Sequence, residues 1–186
     1  MKFVLSLLLI LSTPVIADDA GWITLFDGET LSGWKSTSDA NWRVEEGIIV
    51  VDEGEVGLLV HEGTYQNYEL TVEFKAAKGT NSGVFLSTKE KPGNLTTDCY
   101  ELNIAPPDNA FPTGSLVARE KVEGAGETDD WRTFEIRVEN GRVTVRLDEE
   151  TIVDHRADPP SEGDRIGLQK NSGRVAFRHV RVRKLP

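Results

Sequence analysis

The stretch FEIRVENGRVTVRLD, residues 134–148, decides the fold class. Apolar residues alternate with polar or charged ones on both sides of Asn140-Gly141. Alternation with a period of two is typical of a strand that buries one face. An Asn-Gly pair between two such runs is the strongest short-range signal of a β-hairpin. The stretch therefore predicts two antiparallel strands joined by a tight turn.

The same period recurs along most of the chain. YELTVEFKA at 68–76 alternates in the same way, and a second hairpin is expected around Glu45-Glu46-Gly47. Within 174–185 the apolar parity changes near Arg178-His179, which indicates a β-bulge. Shorter strands are predicted at 83–87, 99–104, 114–119, 151–156 and 165–170. With no helical stripe in any window of about eleven residues, the pattern predicts an all-β sandwich or jelly roll.

Residues 1–17 have the composition of a secretory signal peptide. Lys2 precedes the apolar run 3–11, and small residues ending at Ala17 fit a cleavage site. The alternative, a buried N-terminal helix, is disfavoured by the strongly polar sequence that follows at once. Residues 18–186 are then expected to form a single domain, because their number lies in the usual range for one. We expect this domain to be exported to the periplasm or the extracellular space.

The composition excludes several classes of partner. The chain carries 31 acidic against 21 basic residues, a net charge of −10, which disfavours nucleic acid and anionic membrane surfaces. Outside the N-terminal run, no apolar stretch is long enough to span a membrane. The single Cys99 excludes an intrachain disulfide, and His61, His155 and His179 lack metal-ligand spacing. We expect no metal and no cofactor, and the sequence sets no oligomeric state.

The stretch DCYELNIAPP, residues 98–107, contains the first candidate site residue. In a strand, Cys99, Glu101 and Asn103 share the face opposite to the core. Other polar strand faces in this chain mix charges, but this one carries a lone carboxylate without a basic neighbour. Such a face suits the floor of a concave binding site. The alternative is a solvated glutamate on a sheet surface.

Three further polar clusters stand at predicted strand ends, where sandwich proteins carry their sites. A plain turn or surface charge would explain each of them alone. The clusters are Asn81 in GTNSGVF, Arg119 after TGSLVA, and Gln169, Lys170 and Asn171 in LQKNSG.

The opening WITLFDGETLSGW, residues 22–34, resembles that of the DUF1080 family, also called the 3-keto-disaccharide hydrolase domain. The pieces YELTVEFK, NSGVF, CYELNI, TGSL, IGLQ and VAFRHVRVRKL follow in the family's order. The resemblance runs to the C-terminus and implies a concanavalin A-like jelly-roll β-sandwich of antiparallel strands, export, and a carbohydrate as the small-molecule ligand.

The resemblance also implies a reaction on glycosides whose C3 hydroxyl is oxidised to a ketone. The ketone acidifies the C2 proton, a base removes it, and the C1–O bond breaks by elimination before water adds to the enone. This chemistry needs a base, donors for the developing oxyanion and an acid for the leaving group.

Two alternatives to an enzyme stay open. A non-catalytic carbohydrate-binding module would keep the polar floor and present exposed aromatic rings, whereas Trp34, Trp42 and Trp131 stand in apolar contexts that predict core positions. A structural or protein-interaction domain would leave the polar face flat.

The family motifs place roles on individual residues. Glu101 matches the glutamate of the family's Y-E strand and is the predicted catalytic or substrate-orienting residue. Lys170 stands where many members carry a histidine just after L-Q, and it could act as base or oxyanion partner. Asn103 likewise stands where many members have glutamine. The expected substrate-binding residues are Asn81, Asn103, Arg119, Gln169 and Asn171.

Overall fold

The computed structural model describes residues 21–123 and 125–186. The predicted signal peptide, residues 1–17, lies outside this part of the chain. The described residues form thirteen strands. Among them no helix is long and apolar enough to cross a membrane. The strands are, in chain order, β1 (Trp22–Thr24), β2 (Trp34–Ser36), β3 (Arg43–Glu45), β4 (Ile48–Val51), β5 (Gly57–His61), β6 (Tyr68–Ala76), β7 (Ser82–Thr88), β8 (Tyr100–Ile104), β9 (Arg132–Glu139), β10 (Arg142–Leu147), β11 (Glu150–Arg156), β12 (Arg165–Lys170) and β13 (Val175–Lys184).

The strands form two antiparallel sheets, which confirms the predicted all-β class. The larger sheet has eight strands in the order β11-β10-β9-β6-β13-β4-β3, with β1 also paired to β13. The smaller sheet has five strands in the order β2-β5-β12-β7-β8. One core lies between the sheets, and it includes the stacked rings of Phe74 and Phe134.

Both predicted hairpins are present. Asn140 and Gly141 have φ values of 50° and 78° between β9 and β10, and Glu46 and Gly47 have 48° and 82° between β3 and β4. Two successive residues with positive φ match the right-handed twist of the strands they join. Asn is one of the few residues with a side chain that tolerates this conformation.

The predicted bulge in β13 is also confirmed. The register of β13 against β6 shifts between Arg178 and Arg181, and His179 has a φ of 49°. The shift returns Val180 and Val182 to the core face, so both halves of the strand bury their apolar residues.

The predicted strand at 114–119 is wrong. Leu116 makes only isolated bridges there, and Ala118 has a φ of 60°, which interrupts an extended strand. The peptide nevertheless follows the outer edge of β8, because Asn103 N donates to Ser115 O and Val117 N donates to Glu101 O, each at 2.9 Å. β1, β2 and β5 were not predicted from the sequence, since β1 and β2 are three residues long and β5 lacks a polar face.

The smaller sheet is buried on both faces around β7 and β8, whose residues are all buried. On the face away from the core, a second cluster joins Leu58, Val60, Phe85 and Cys99. The loop that leads into β8 borders this cluster. Asp98 holds the loop closed, because its carboxylate accepts bonds from the backbone amides of residues 93 and 94 at 2.9 and 3.0 Å and from Lys89 Nζ at 2.7 Å.

We expect Gly141→Ala to lower the free energy of unfolding by roughly 1–2 kcal/mol, the usual cost of a left-handed conformation with a side chain. An added Cβ would also lie 3.0 Å from Pro160 Cβ. Urea denaturation measures the loss. Gly126→Ala is the matched control, since its φ is not positive and no atom lies within 4 Å of the added Cβ. Equal stability of the two variants would contradict the turn geometry.

Candidate functional site

The site is built on three neighbouring strands of the smaller sheet, on the face away from the core. Glu101 of β8 pairs with Phe85 of β7. In β12, Leu168 pairs with Val84 of β7, and Gln169 is the next residue along the strand. Gln169 therefore lies beside Gly83, which has no side chain. An added Cβ at Gly83 would lie 3.5 Å from Glu101 Cγ and 3.6 Å from Gln169 Oε1. The side chains of Glu101 and Gln169 therefore lie within van der Waals distance of the Cβ position of Gly83.

Gln169 and Glu101 form a buried hydrogen bond across this space. Gln169 Nε2 donates to Glu101 Oε1 at 3.2 Å. Gln169 is held in turn by Ser82, whose hydroxyl donates to the Gln169 carbonyl at 2.7 Å. The Gln169 amide thus orients the Glu101 carboxylate, and the backbone of Gln169 is itself held in place by Ser82.

Glu101 is a buried carboxylate without a cation. The residue is 7 % exposed, and no Lys, Arg or His nitrogen in residues 21–123 and 125–186 forms an ion pair with its carboxylate. Burial raises the pKa of Glu101, and the hydrogen bond from Gln169 lowers it in part. Because burial disfavours the charged form, ionised Glu101 is a stronger proton acceptor than a glutamate in water.

Two buried amide oxygens on the face of the sheet that carries Glu101 have unused hydrogen-bonding capacity. Gln169 Oε1 and Asn103 Oδ1 are buried and have no partner in the described protein. Asn103 Nδ2 donates to the carbonyl of Phe111, so its amide is held by the loop after β8. A buried polar atom without a partner costs roughly 1–3 kcal/mol. Such atoms are rare in folded proteins. The presence of two such atoms on the face that carries Glu101 is therefore typical of a ligand-binding site.

Asn81 and Asn171 lie at the end of the same sheet. Asn81 and Ser172 exchange two backbone hydrogen bonds of 3.0 and 2.9 Å, which aligns the ends of β7 and β12. The alternation of β7 places Asn81 on the face of Gly83 and Phe85. Both asparagines are half-buried. The structure thus brings Asn81 to the face of Glu101 and Asn171 to its border.

Lys170 does not join this group. It follows Gln169 directly, so alternation turns it to the inward face of β12, which it shares with Ile166 and Leu168. Its Nζ donates to the carbonyl of Asn171 at 3.0 Å. The prediction that Lys170 acts beside Glu101 is corrected, because consecutive residues of a strand point to opposite faces.

Arg119 is a clamp on the loop before β8. Its Nη2 donates to the carbonyls of Thr96 at 2.7 Å and Cys99 at 3.0 Å, and its guanidinium lies 4.6 Å from the centre of the Tyr100 ring. These contacts direct it to the backbone and to the edge of the sheet. They hold the loop that borders the site. Arg119 Nε is buried and has no partner among the described residues, so the role of Arg119 in binding substrate stays a prediction.

A groove of about 310 Å³ adjoins the Glu101–Gln169 pair. Phe85 and Gln169 belong to its floor, so the groove reaches Glu101 through its hydrogen-bond partner Gln169. Sequence analysis missed this groove, because its walls come from two separate loops. The sequence signal that could have indicated the groove is the presence of Val56 and Leu95 in otherwise polar loops. The lining residues are Thr37, Val56, Gly57, Leu58, Phe85, Lys91, Pro92, Leu95 and Gln169.

The tryptophans bear on the alternative of a sugar-binding module. Trp34 is buried and Trp42 packs against the core, as expected. The core prediction for Trp131 is wrong, because its ring lies under the guanidinium of Arg178, a residue of the larger sheet, at 4.1 Å. None of the three lines the groove beside Glu101.

The profile of the 3-keto-alpha-glucoside-1,2-lyase-like domain family matches residues 21–183. The chain belongs to this family. The match confirms the resemblance inferred from the motifs. Family membership makes the Glu101 face, on which several of those motifs converge, the candidate active site of the domain.

A protein with a similar sequence also supports the family assignment. A 3-keto-disaccharide hydrolase of Bacteroides thetaiotaomicron is 37 % identical over 180 residues, and the alignment covers 78 % of this chain and 61 % of that protein. The chain thus spans less than two thirds of that relative.

Solved structures share the fold. A provisionally assigned glycosyl hydrolase of Parabacteroides distasonis has a TM-score of 0.76 at 20 % identity, over 89 % of this chain and 94 % of that one. The carbohydrate-binding module CBM66 of Bacillus subtilis has a TM-score of 0.64 at 11 % identity, over 82 % and 96 %. These likenesses confirm the predicted jelly-roll sandwich.

We expect Glu101→Gln to raise the free energy of unfolding at pH 7. The folded-state pKa of Glu101 is raised, so its stabilising contribution is complete below the unfolded-state pKa and is lost as pH rises through the folded-state pKa. At neutral pH the burial of Glu101 therefore lowers the stability of the wild type, and glutamine removes this cost. Denaturation at several pH values should show a difference that vanishes below about pH 4.

Glu69→Gln is the control of opposite sign. Burial opposes ionisation of Glu69, but hydrogen bonds from Arg183 and Arg137 outweigh it and lower the pKa. That contribution is present above the unfolded-state pKa and is lost as pH falls through the folded-state pKa, so Glu69→Gln should destabilise at pH 7. Destabilisation by both variants would contradict the unpaired state of Glu101.

Proposed function

We propose that this domain is an exported enzyme that cleaves 3-keto-glycosides, with Glu101 as the base. The observation that carries the proposal is the buried Glu101 carboxylate, which has an amide as its partner and no cationic partner among the described residues. The family's description and the name of the Bacteroides relative support the substrate class. The N-terminal signal-peptide pattern supports export.

The reaction begins with removal of the C2 proton by Glu101. A C3 ketone makes this proton acidic, because the resulting charge is shared with the ketone oxygen as an enediolate. The raised pKa of Glu101 brings the base closer to the operating pH, where proton transfer is most efficient. Gln169 keeps the carboxylate in position through its 3.2 Å hydrogen bond.

Charge on the enediolate oxygen requires hydrogen-bond donors. Asn81 lies on the same face and is half-buried, so its amide can serve as a donor. Asn171 at the border of the sheet offers a second amide.

Bond cleavage completes the elimination. The enediolate reforms the ketone as the C1–O bond breaks, and the protonated Glu101 returns its proton to the leaving oxygen. Water then adds across the enone to give the free 3-keto sugar. A single carboxyl group thus acts as base and then as acid, in contrast to glycosidases that need two carboxylates at a set separation.

We expect Glu101→Gln to lower kcat on a 3-keto-glucoside by about 10²–10⁴, the range contributed by a positioned base. Release of the 3-keto sugar by the purified domain measures this loss. Lys170→Met is the control. We expect it to retain the kcat of the wild type on the same substrate, because Lys170 faces the core. Unchanged turnover of Glu101→Gln would sink the proposal. Binding of a keto-glycoside without turnover by the wild type would favour the non-catalytic module.

The pH profile gives a separate measurement. We expect kcat/KM of the wild type to fall with decreasing pH as Glu101 takes up a proton, at a pH above the ordinary range of a carboxyl group. Gln169→Met removes a hydrogen bond that favours the carboxylate, so its acid limb should move to higher pH. A shift to lower pH, or none, would contradict the assignment of this limb to Glu101.

A further inference from the structure

The groove beside the Glu101–Gln169 pair contains two of the large apolar side chains that the described residues leave exposed. Val56 is 63 % exposed and Leu95 is 37 % exposed. The third such residue, Ile23, lies in β1 of the other sheet and is 47 % exposed. Single exposed apolar residues are ordinary. Two of them facing one groove beside a candidate active site indicate an apolar ligand.

The rest of the lining has the same character. Pro92 stands in the wall with Leu95, and Leu58 and Phe85 belong to the floor. Lys91 at the rim and Gln169 at the inner end carry the long polar side chains. Thr37 has its hydroxyl oxygen occupied as the acceptor of Leu58 N at 2.9 Å. A second sugar ring would need many hydrogen-bond partners for its hydroxyls, and this groove offers few.

We propose that this groove holds an apolar, ring-sized leaving group, such as a phenolic aglycone. The inference rests on the proposed function and names the substrate class of the same site. The groove shares Gln169 with the catalytic pair, so a sugar whose C2 lies at Glu101 directs its C1 substituent along the floor. Its volume of about 310 Å³ lies at the lower end of small-molecule pockets, which suits one ring. Val56 and Leu95 then determine specificity by covering the two sides of the ring.

Three 3-keto-glucosides of one anomeric configuration test this inference: the methyl glycoside, the phenyl glycoside and a disaccharide. We expect KM for the phenyl glycoside to be about tenfold lower than for the methyl glycoside, the scale on which an apolar pocket discriminates. Val56→Ser and Leu95→Asn should each raise KM for the phenyl glycoside several-fold and leave the methyl glycoside unchanged. Ile23→Ser is the matched control and should change neither.

The outcomes separate the two proposals. Equal KM values for phenyl and methyl glycosides, or a preference for the disaccharide, would overturn the inference and leave the reaction in place. An equal loss on both glycosides in Val56→Ser and Leu95→Asn, with urea denaturation curves that match the wild type, would also overturn it, because the groove would then not distinguish the two leaving groups. If no substrate is turned over, calorimetry with unoxidised phenyl glucoside decides. If phenyl glucoside binds and Leu95→Asn weakens this binding, the apolar groove is supported and only the proposed reaction is overturned. If phenyl glucoside does not bind, both the groove and the reaction are overturned.

Discussion

Burial of the five-stranded sheet on both faces is the constraint on which the site depends. The inward face of this sheet packs against the larger sheet, as in any sandwich. The outward face is covered by the loop before β8 and by the small cluster of Leu58, Val60, Phe85 and Cys99. Polar residues on that outward face are therefore removed from water. A glutamate that would titrate normally on an open sheet becomes a stronger base here.

Two glycines of the smaller sheet, Gly83 and Gly167, have no side chain, and the side chains of neighbouring strands pack over them. At Gly83, Gln169 and Glu101 lie within van der Waals distance of an added Cβ, and the hydrogen bond between them crosses β7. At Gly167, the floor is filled instead by Leu58 and Phe85, each within 3.5 Å of an added Cβ. Polar side chains thus pack over Gly83, and apolar side chains pack over Gly167. The boundary between the catalytic pair and the groove lies between these two glycines.

The sequence predicted the local features well, because they depend on neighbouring residues. The hairpin at Asn140-Gly141, the bulge near His179 and the outward parity of Glu101 all follow from alternation. The inward position of Lys170 follows from the same rule, since it shares the parity of Ile166 and Leu168, whereas the family motif alone suggests a place beside Glu101. The role of Arg119 and the groove walls at Val56 and Leu95 depend on long-range loop contacts. No local pattern encodes such contacts.

The peptide 114–117 along β8 has a further consequence for the molecule as a whole. A strand at the border of a sheet presents unpaired amides and carbonyls, which another chain can use as a template. Residues 114, 115 and 117 occupy these groups through hydrogen bonds to Asn103 and Glu101. The cover is irregular, because Ala118 turns the chain away before a full strand can form. Such an ending offers a poor surface for strand addition, so the same segment that borders the site protects the β8 edge from pairing with another chain.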